Sequence, residues 1–448
     1  MNEAIRHDGT NEGGARGPVK IVLIGAGSMS FGRGQLADLL QAEALSGRRL
    51  SLTLVDTDEP ALAIMLRLAE RIKEQSGTDI ALQATTDRRH ALPGADFVIT
   101  AVARQRYPLW EQDFRVPLAY GFRHCLGENG GPGAVFHTMR SLDLMLPICA
   151  DIEQLCPRAL LLNFTNPEAR VLHAILHLTR VNAAGICHGI GSALHLVSQY
   201  LEQPSTAFRV VSAGINHFYT LLSVTELATG KERLPELVRM AAADTSPRTP
   251  VLFRKMAQIF DVFTFPSDDH IGEYLAYGAE YSGVKWHYGQ ECRPVAVQQT
   301  TPLATLADYA DGAAPLDAMI LAPSGEFTVP IITDILLDRA AYREAVNVLN
   351  TAGYIPNLPT GAAIEVPAMV DAAGIHPQHV APIPEPVAAL MRTQITIQEL
   401  LTEAYRTRSK KLLLQALLLD PTVNSIEAAG ALLEEMLTLQ REFLPKFS

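Results

Sequence analysis

The sequence predicts an α/β fold in which an N-terminal, doubly wound parallel sheet is followed by a C-terminal α+β domain. Three observations support this prediction. Short apolar runs of strand length alternate with helical patterns in the first part of the chain. A glycine-rich turn links the first strand to the first helix. The 448 residues are enough for two domains with substantial cores.

Composition argues against several classes of function. The net charge of -11 and the absence of a basic run argue against nucleic acid or an anionic membrane as a partner. The N-terminus lacks the apolar core of a signal peptide and no stretch has the length of a transmembrane helix, so we expect a cytoplasmic protein. Five cysteines are too few for a disulfide framework, which leaves thiolates available as ligands.

The first predicted strand, residues 19–24, leads into a glycine-rich turn and then a helical pattern through Leu36 and Leu40. This order is typical of a dinucleotide-binding unit, because glycines let the backbone approach a pyrophosphate at the N-terminus of the helix. We therefore expect the turn to bind a dinucleotide through four residues, Gly25, Gly27, Ser28 and Met29.

Asp56 ends the second predicted strand, residues 50–55. An acid at this place can accept a hydrogen bond from a ribose 2′-hydroxyl and would repel a 2′-phosphate, so the sequence favours NAD over NADP. The fingerprint is incomplete, since Ser30 occupies the place of the third glycine in the G-x-G-x-x-G pattern. A tight turn without a ligand is the alternative.

Three polar residues near later strand ends are candidates for contacts with the substrate. Arg104 follows a predicted strand at 96–102, and Glu128 lies in a glycine loop that opens a helix at 134–155. Asn166 follows a strand at 159–164 and either caps the next helix or binds a ligand hydroxyl. For Arg104 and Glu128, an ordinary loop role is the alternative.

Two small apolar runs end in side chains that bind metals. Cys187 follows one run, and His217 lies just after the other. As thiolate and imidazole they can share one divalent cation and leave positions for substrate oxygens and water. The alternative is a buried cysteine and a core histidine with its hydrogen bonds satisfied.

Strands at 208–214 and 219–225 begin the second half, so His217 would lie where the sheet bends. Leucine-rich helices close the chain after a proline-rich stretch and would form core or a subunit interface. We divide the chain into three parts: a flexible tail at 1–18, a Rossmann-type NAD-binding domain at 19–205, and an α+β domain for substrate, metal and oligomerisation at 206–448.

These residues and several later motifs, taken in order, resemble glycoside hydrolase family 4, whose fold is similar to that of lactate and malate dehydrogenases. The resemblance runs from Val19 to about Leu437. Its motifs are Gly25-Ala26-Gly27-Ser28, Gly131-Pro132-Gly133, Asn166-Pro167, Gly185-Ile186-Cys187-His188-Gly189, Gly214-Ile215-Asn216-His217, Asp268-Asp269-His270-Ile271-Gly272-Glu273-Tyr274, Pro356-Asn357-Leu358-Pro359-Thr360-Gly361, Ile364-Glu365-Val366-Pro367, Asp371 and Gln415-Ala416-Leu417-Leu418-Leu419-Asp420-Pro421.

The resemblance implies a chemistry. Cys187 and His217 would bind the metal, usually Mn²⁺, although a thiolate–imidazole pair suits iron, cobalt, nickel or zinc at least as well. NAD would oxidise the C3 hydroxyl of the sugar and so acidify the C2 proton, while the metal stabilises the enediolate. The C1 substituent would then leave, water would add, and the hydride would return, so that the net reaction is hydrolysis.

The resemblance also implies roles in proton transfer and specificity. Asp268 would remove the C2 proton, with Asp269 as the alternative, although both acids suit the start of a helix. His188 would contact the substrate and assist the leaving group, and it favours an unphosphorylated sugar. Gly189 completes a Cys-His-Gly signature associated with α-glucuronidases. We therefore expect an α-glucuronidase or related uronic-acid α-glycosidase, with α-galactosidase and α-glucosidase as alternatives.

Two other classes compete with this interpretation. A dehydrogenase of the lactate or malate type would need an arginine clamp and an acid-paired histidine, and would have no use for Cys187 opposite His217. A regulator that binds NAD without turnover is the second. The resemblance further implies a homodimer or homotetramer.

Overall fold

The computed structural model describes residues 5–6, 18–28, 31–247, 249–281 and 303–448. Its strands are β1 (Ile5–Arg6), β2 (Val19–Ile24), β3 (Leu50–Val55), β4 (Ala81–Thr85), β5 (Phe97–Thr100), β6 (Leu160–Asn163), β7 (Asn182–Gly185), β8 (Phe208–Ile215), β9 (Phe218–Glu226), β10 (Ala341–Leu349), β11 (Ala363–Asp371) and β12 (Gly374–Pro377).

Its helices are α1 (Gly32–Leu40), α2 (Glu59–Ser76), α3 (Arg88–Ala91), α4 (Arg106–Ala119), α5 (Gly133–Leu155), α6 (Glu168–Leu178), α7 (Gly189–Leu201), α8 (Leu234–Ala243), α9 (Val251–Phe260), α10 (Asp268–Gly272), α11 (Leu303–Ala310), α12 (Ala318–Leu321), α13 (Thr328–Leu337), α14 (Glu385–Thr407), α15 (Lys410–Leu419) and α16 (Ile426–Leu439).

Local sequence signals set the ends of these elements, as α2 illustrates. The Asp58 carboxylate accepts a hydrogen bond from the Ala61 amide at 3.0 Å, and Pro60 occupies the first turn. Gly77 ends the helix in the left-handed region, at a φ of 66°. The helix predicted at 61–74 therefore extends to the capping residues on both sides.

The first half forms the predicted parallel sheet. Six parallel strands lie in the order β4-β3-β2-β5-β6-β7. Ile24 at the end of β2 pairs with Val55 of β3 on one side and Thr100 of β5 on the other. The strand order reverses between β2 and β5, and this is where doubly wound sheets bind their ligands. The predicted α/β class is confirmed.

The second half continues the same sheet. Gly185 of β7 pairs antiparallel with Asn347 of β10, and β11 and β12 follow outward. The hairpin of β8 and β9 joins at β11, where Gly214 pairs with Glu365. The sheet is thus continuous across residue 205, and the domain boundary there stays a prediction. Within the segment expected as a tail, Ile5 pairs with Ile375 of β12.

The closing helices complete the core of the first half. Leu401, Leu417 and Leu432 are buried in one cluster with Met139 of α5 and Val171 of α6. Of the two roles expected for these helices, the structure shows the core role. Within the residues that the structure describes, no helix combines the length and the apolar character needed to cross a membrane.

Candidate active site

A cavity of about 820 Å³ opens where the strand order reverses. Its volume falls within the range of roughly 300–1,000 Å³ that is usual for ligand sites. The residues predicted to contact a dinucleotide, Gly25, Gly27, Ser28 and Asp56, all line it, apart from Met29, which lies outside the described residues. Arg104 and Asn166, predicted to contact the substrate, line the same cavity.

The turn after β2 has no room for a side chain at its first position, Gly25. Gly25 has a φ of +89°, and a Cβ there would lie 2.3 Å from the carbonyl oxygen of Ala101. The Gly27 amide donates to Oδ2 of Asp56 at 2.8 Å, and the Asp58 amide donates to Oδ1 of Asp56 at 3.0 Å. Asp56 thus holds the turn in place from the neighbouring strand, and its predicted contact with a ribose stays a prediction.

Gly32 takes over the role of the third glycine that the G-x-G-x-x-G pattern lacks at Ser30. A Cβ at Gly32 would lie 2.3 Å from the carbonyl oxygen of Ala26 and 3.0 Å from Met65. Close packing of helix on strand is the task of the third glycine in the usual pattern. Gly32, at the first position of α1, therefore performs this task, two residues after the place where the pattern expects a glycine.

Cys187 and His217 meet in space, as the sequence predicts. Cys187 lies in the loop between β7 and α7, and His217 lies in the two-residue loop of the β8–β9 hairpin. The Cys187 Sγ and the His217 Nε2 are 3.3 Å apart. Burial lowers the pKa of His217 well below its ordinary value, so the imidazole is in the neutral form that binds metals.

The separation of these two atoms fits a shared cation. A thiolate and an imidazole on one ion, at the usual bond lengths, lie about 3.1 Å apart at a right angle and about 3.6 Å apart at a tetrahedral angle. Burial raises the pKa of Cys187 well above that of a free thiol, and a bound cation would reverse this shift. Among the described residues, no group of three or more His, Cys, Asp or Glu side chains could hold a metal. Any cation here would need further ligands besides the side chains of Cys187 and His217.

Glu326 was not predicted, and it pairs with His188. His188 Nδ1 donates to Glu326 Oε1 at 2.7 Å, and this hydrogen bond is the main cause that raises the pKa of His188. The Glu326 side chain is 4% exposed, whereas that of His188 is 61% exposed. Ser324 ties the same loop to α1, because its amide donates to Asp38 at 2.9 Å. A single acid in a loop far along the chain carried no sequence signal for this role.

Glu128, Arg106 and Asn166 form a second cluster of polar side chains beside the cavity. The Glu128 Oε1 accepts hydrogen bonds from Arg106 at 2.7 Å and from the Asn166 side chain at 3.2 Å. Burial opposes ionisation of Glu128, but Arg106 and nearby histidines outweigh it and lower the pKa. Asn166 does not cap α6, since Pro167 is the N-cap. Arg104 lines a small cavity together with Arg106 and Glu128, and it faces Asp143 at 3.6 Å.

The two adjacent acids differ in their surroundings. The Asp268 carboxylate accepts hydrogen bonds from the amides of Val251 and Leu252, both at 2.7 Å, and so caps α9. Asp269 interacts electrostatically with His270, whose ring lies 4.6 Å from that of His217. The structure therefore brings His270 close to His217 and gives Asp268 a capping role.

Comparison with known proteins agrees with this geometry. A model of the family 4 glycosyl hydrolases matches residues 20–203, and a model of the C-terminal domain of that family matches residues 212–423. An α-glucosidase of Erwinia rhapontici is 31% identical in an alignment that covers 95% of this chain and 98% of the relative.

Solved structures agree on the fold. A 6-phospho-α-glucosidase from gut microorganisms, solved with NAD and Mn²⁺, has a TM-score of 0.81 at 20% identity and covers 96% of this chain and 100% of that chain. A malate dehydrogenase from Plasmodium falciparum has a TM-score of 0.52 at 13% identity, covering 88% and 99%. The fold predicted from the resemblance is confirmed. Since the two family models together match most of the chain, this protein belongs to the family 4 glycosyl hydrolases.

Proposed function

We propose that this protein is an α-glycosidase that uses NAD and a divalent metal ion, with Mn²⁺ as the first candidate. The observation that carries the proposal is the 3.3 Å approach of Cys187 Sγ to His217 Nε2 in a chain that also forms a dinucleotide cavity. The solved relative with NAD and Mn²⁺ supports the same pair of cofactors. Gly25, Gly27, Ser28 and Met29 would contact the dinucleotide.

The cofactors and residues of the proposed site have separate roles. When bound, NAD supplies reversible oxidation of the sugar, and the metal polarises the oxygens next to the acidified C2 proton. His188 is exposed beside Cys187 and is oriented by Glu326, so it is placed to protonate a leaving group. Asn166 and Glu128 would position the sugar, and Arg104 would contact it from the cavity wall.

The C2 base is one of the two adjacent acids. The oxygens of Asp268 already accept amide hydrogen bonds from the first turn of α9, although burial raises its pKa. Asp269 interacts electrostatically with His270, whose ring lies 4.6 Å from that of His217, and we propose Asp269 as the base. In D₂O, Asp269→Asn should abolish deuterium uptake at C2, whereas Asp268→Asn should retain it. Asn can still cap α9, so both variants should melt near the wild-type temperature. The reverse pattern of deuterium uptake would reassign the base to Asp268.

Two observations bear on the identity of the glycone, and they favour different sugars. The 31% identical relative is an α-glucosidase, whereas Gly189 suggests a uronic-acid substrate. A Cβ at Gly189 would meet Cys187 Sγ and a ring carbon of Phe265, both at an ordinary 3.5 Å, so the fold does not require glycine there. We infer that Gly189 contributes to substrate choice, with α-glucuronides and α-glucosides as the leading candidates.

A panel of nitrophenyl α-glycosides and α-glycosiduronic acids tests the proposal. Each is assayed with and without NAD, Mn²⁺ and a thiol reductant, in D₂O. We expect cleavage that needs both cofactors and places deuterium at C2 of the product, and the substrate cleaved identifies the glycone. Steady NADH formation from a hydroxy acid, without cleavage of any glycoside, would instead identify a dehydrogenase that uses the His188–Glu326 pair.

We propose, as the sequence predicts, that the protein is a cytoplasmic homodimer or homotetramer. Leu419, Ile426 and Leu439 leave apolar side chains exposed on the closing helices, which suits a homodimer or homotetramer. Light scattering of the purified protein would give the subunit number directly. Cell fractionation would test the expected cytoplasmic location.

A further inference from the structure

The position of the His188 side chain depends on a loop far along the chain. This side chain is 61% exposed, and its Nδ1 donates to the buried Glu326 at 2.7 Å. Glu326 lies in the loop of residues 322–327, between α12 and α13. An exposed side chain changes rotamer readily unless a partner restrains it. The place of His188 is therefore only as fixed as the loop that carries Glu326.

Ser324 attaches this loop to Asp38 of α1. The Ser324 amide donates to Asp38 Oδ1 at 2.9 Å, and the Ser324 hydroxyl donates to Asp38 Oδ2. The same hydroxyl oxygen accepts a hydrogen bond from the Glu326 amide at 3.0 Å. Ser324 therefore joins a carboxylate on α1 to the backbone of Glu326, and the side chain of Glu326 continues the connection to His188.

Helix α1 also binds the chain at the start of this loop. Arg33 donates to the carbonyl oxygens of Ile320 at 2.9 Å and Ala322 at 3.0 Å. Gln41 donates to the carbonyl oxygen of Leu321 at 2.9 Å. These carbonyls lie at the C-terminal end of α12, where a helix supplies no donors of its own. The start of the loop is therefore attached to the same helix as Ser324.

The N-terminal end of α1 belongs to the proposed dinucleotide site. Gly32, the first residue of α1, packs against the carbonyl oxygen of Ala26 in the turn after β2. In the proposed reaction, oxidation at C3 and protonation of the C1 substituent act on the same sugar ring. The cofactor and the acid must therefore lie at a set distance from each other. One helix that holds both the dinucleotide turn and the loop of Glu326 meets this requirement.

We propose that Asp38 and Ser324 are positioning residues for the reaction. They hold Glu326 where it orients His188, and they tie the proposed acid to the helix that starts at the dinucleotide turn. Neither Asp38 nor Ser324 lines the dinucleotide cavity, so they act through Glu326 and not by contact with the cofactor. This inference rests on the proposed glycosidase function, because it concerns the residue that protonates the leaving group.

Two substrates with the same glycone separate the positioning of an acid from a merely structural role. A dinitrophenolate is a stable anion and leaves without a proton, whereas a methoxide must be protonated as it leaves. The measured quantity is the ratio of kcat/KM for the methyl α-glycoside to kcat/KM for the dinitrophenyl α-glycoside. A partial loss of folded protein lowers both values equally and leaves this ratio unchanged.

We expect Ser324→Ala and Asp38→Ala each to lower the ratio about tenfold, the effect of losing a hydrogen bond to a charged group. The double variant should lower it no further than either single change, because both act through one connection. Asp38→Asn keeps an oxygen for the Ser324 amide and should restore most of the ratio. NAD affinity, measured by titration, should stay at the wild-type value in all four variants.

Asp311→Ala is the matched control. It removes the 2.7 Å ion pair between Asp311 and Arg67 of α2, which also joins the first half of the chain to the segment after α11. This ion pair does not involve the loop of Glu326, so the ratio should stay at the wild-type value. His188→Gln is the reference for full loss of the acid and should lower the ratio about a hundredfold or more.

Three results would overturn the positioning role. They are an unchanged ratio in both Ser324→Ala and Asp38→Ala, an unchanged ratio in His188→Gln, and an equal fall in the control Asp311→Ala. Failure of the wild type on every glycoside would instead overturn the proposed function.

Discussion

Gly32→Ala should weaken dinucleotide binding more than any comparable change elsewhere on the helices. The added methyl would lie 2.3 Å from the carbonyl oxygen of Ala26, which is backbone and cannot turn away. An ordinary carbon–oxygen contact is about 1 Å longer, so the start of α1 must move by roughly this amount. The pyrophosphate is expected at that helix start, so the displacement acts directly on the cofactor.

The size of the effect follows from two opposing contributions. Crowding in a close-packed region costs about 1–3 kcal/mol, and replacing glycine by alanine in a helix returns at most about 1 kcal/mol. We therefore expect a net loss of up to about 3 kcal/mol in the free energy of unfolding, with about 1–2 kcal/mol at the middle of the range. We also expect at least a tenfold weaker NAD affinity, since a 1 Å displacement of a binding group can change function by about a hundredfold.

Calorimetric titration with NAD and thermal unfolding measure the two quantities. Gly430→Ala is the matched control, because it lies inside α16 and its added Cβ would meet nothing within 4 Å. That variant should gain about 0.5–1 kcal/mol of stability and bind NAD normally. The role assigned to Gly32 is refuted if Gly32→Ala binds NAD like the wild type and melts at or above the wild-type temperature.

Three further predictions concern the site. Cys187→Ser should lower metal affinity and the rate of glycoside cleavage at least a hundredfold while NAD affinity stays normal. Metal analysis and titration with NAD measure these quantities. A variant that cleaves glycosides at the wild-type rate would show that Cys187 is not a metal ligand. Burial raises the pKa of Glu273 to about 8, so the folded chain keeps a proton that the unfolded chain releases above about pH 4.3. Stability should therefore fall between about pH 4.3 and 8, by up to about 1.4 kcal/mol per pH unit, and urea titrations of Glu273→Gln should show a flatter profile; equal slopes would contradict the shift. Gly189→Ser should keep the wild-type melting temperature and change the preferred glycone, and an unchanged substrate profile would exclude Gly189 from substrate choice.

The parallel half of the fold can be predicted because its information is local. Apolar runs, the turn at Gly25 and the cap at Asp58 lie next to the elements that they define. The meeting of Cys187 and His217 is also predictable, since each follows a strand directly and the strands share a sheet. Resemblance to a family then supplies the metal and the reaction, which the residues alone leave open.

Other features depend on contacts between distant parts of the chain. Gly32 performs the packing task expected near Ser30, because only the distance to Ala26 shows where helix and strand meet. Glu326 is 138 residues from His188, and no periodicity links them. The capping of α9 by Asp268 is likewise a contact between two helices. Sequence patterns report neighbours along the chain, so these three roles appear only in three dimensions.

The backbone conformation of His217 lowers stability, whereas its imidazole is needed for the proposed activity. This residue has a φ of 63° at the turn of its hairpin, where a non-glycine residue costs on the order of 1–2 kcal/mol. Glycine at this position would relieve the strain and would also remove the imidazole. Laboratory evolution that selects for heat resistance alone should therefore enrich glycine at position 217 and lose activity early. Selection that also demands turnover should retain the strained histidine and find its stabilising changes elsewhere.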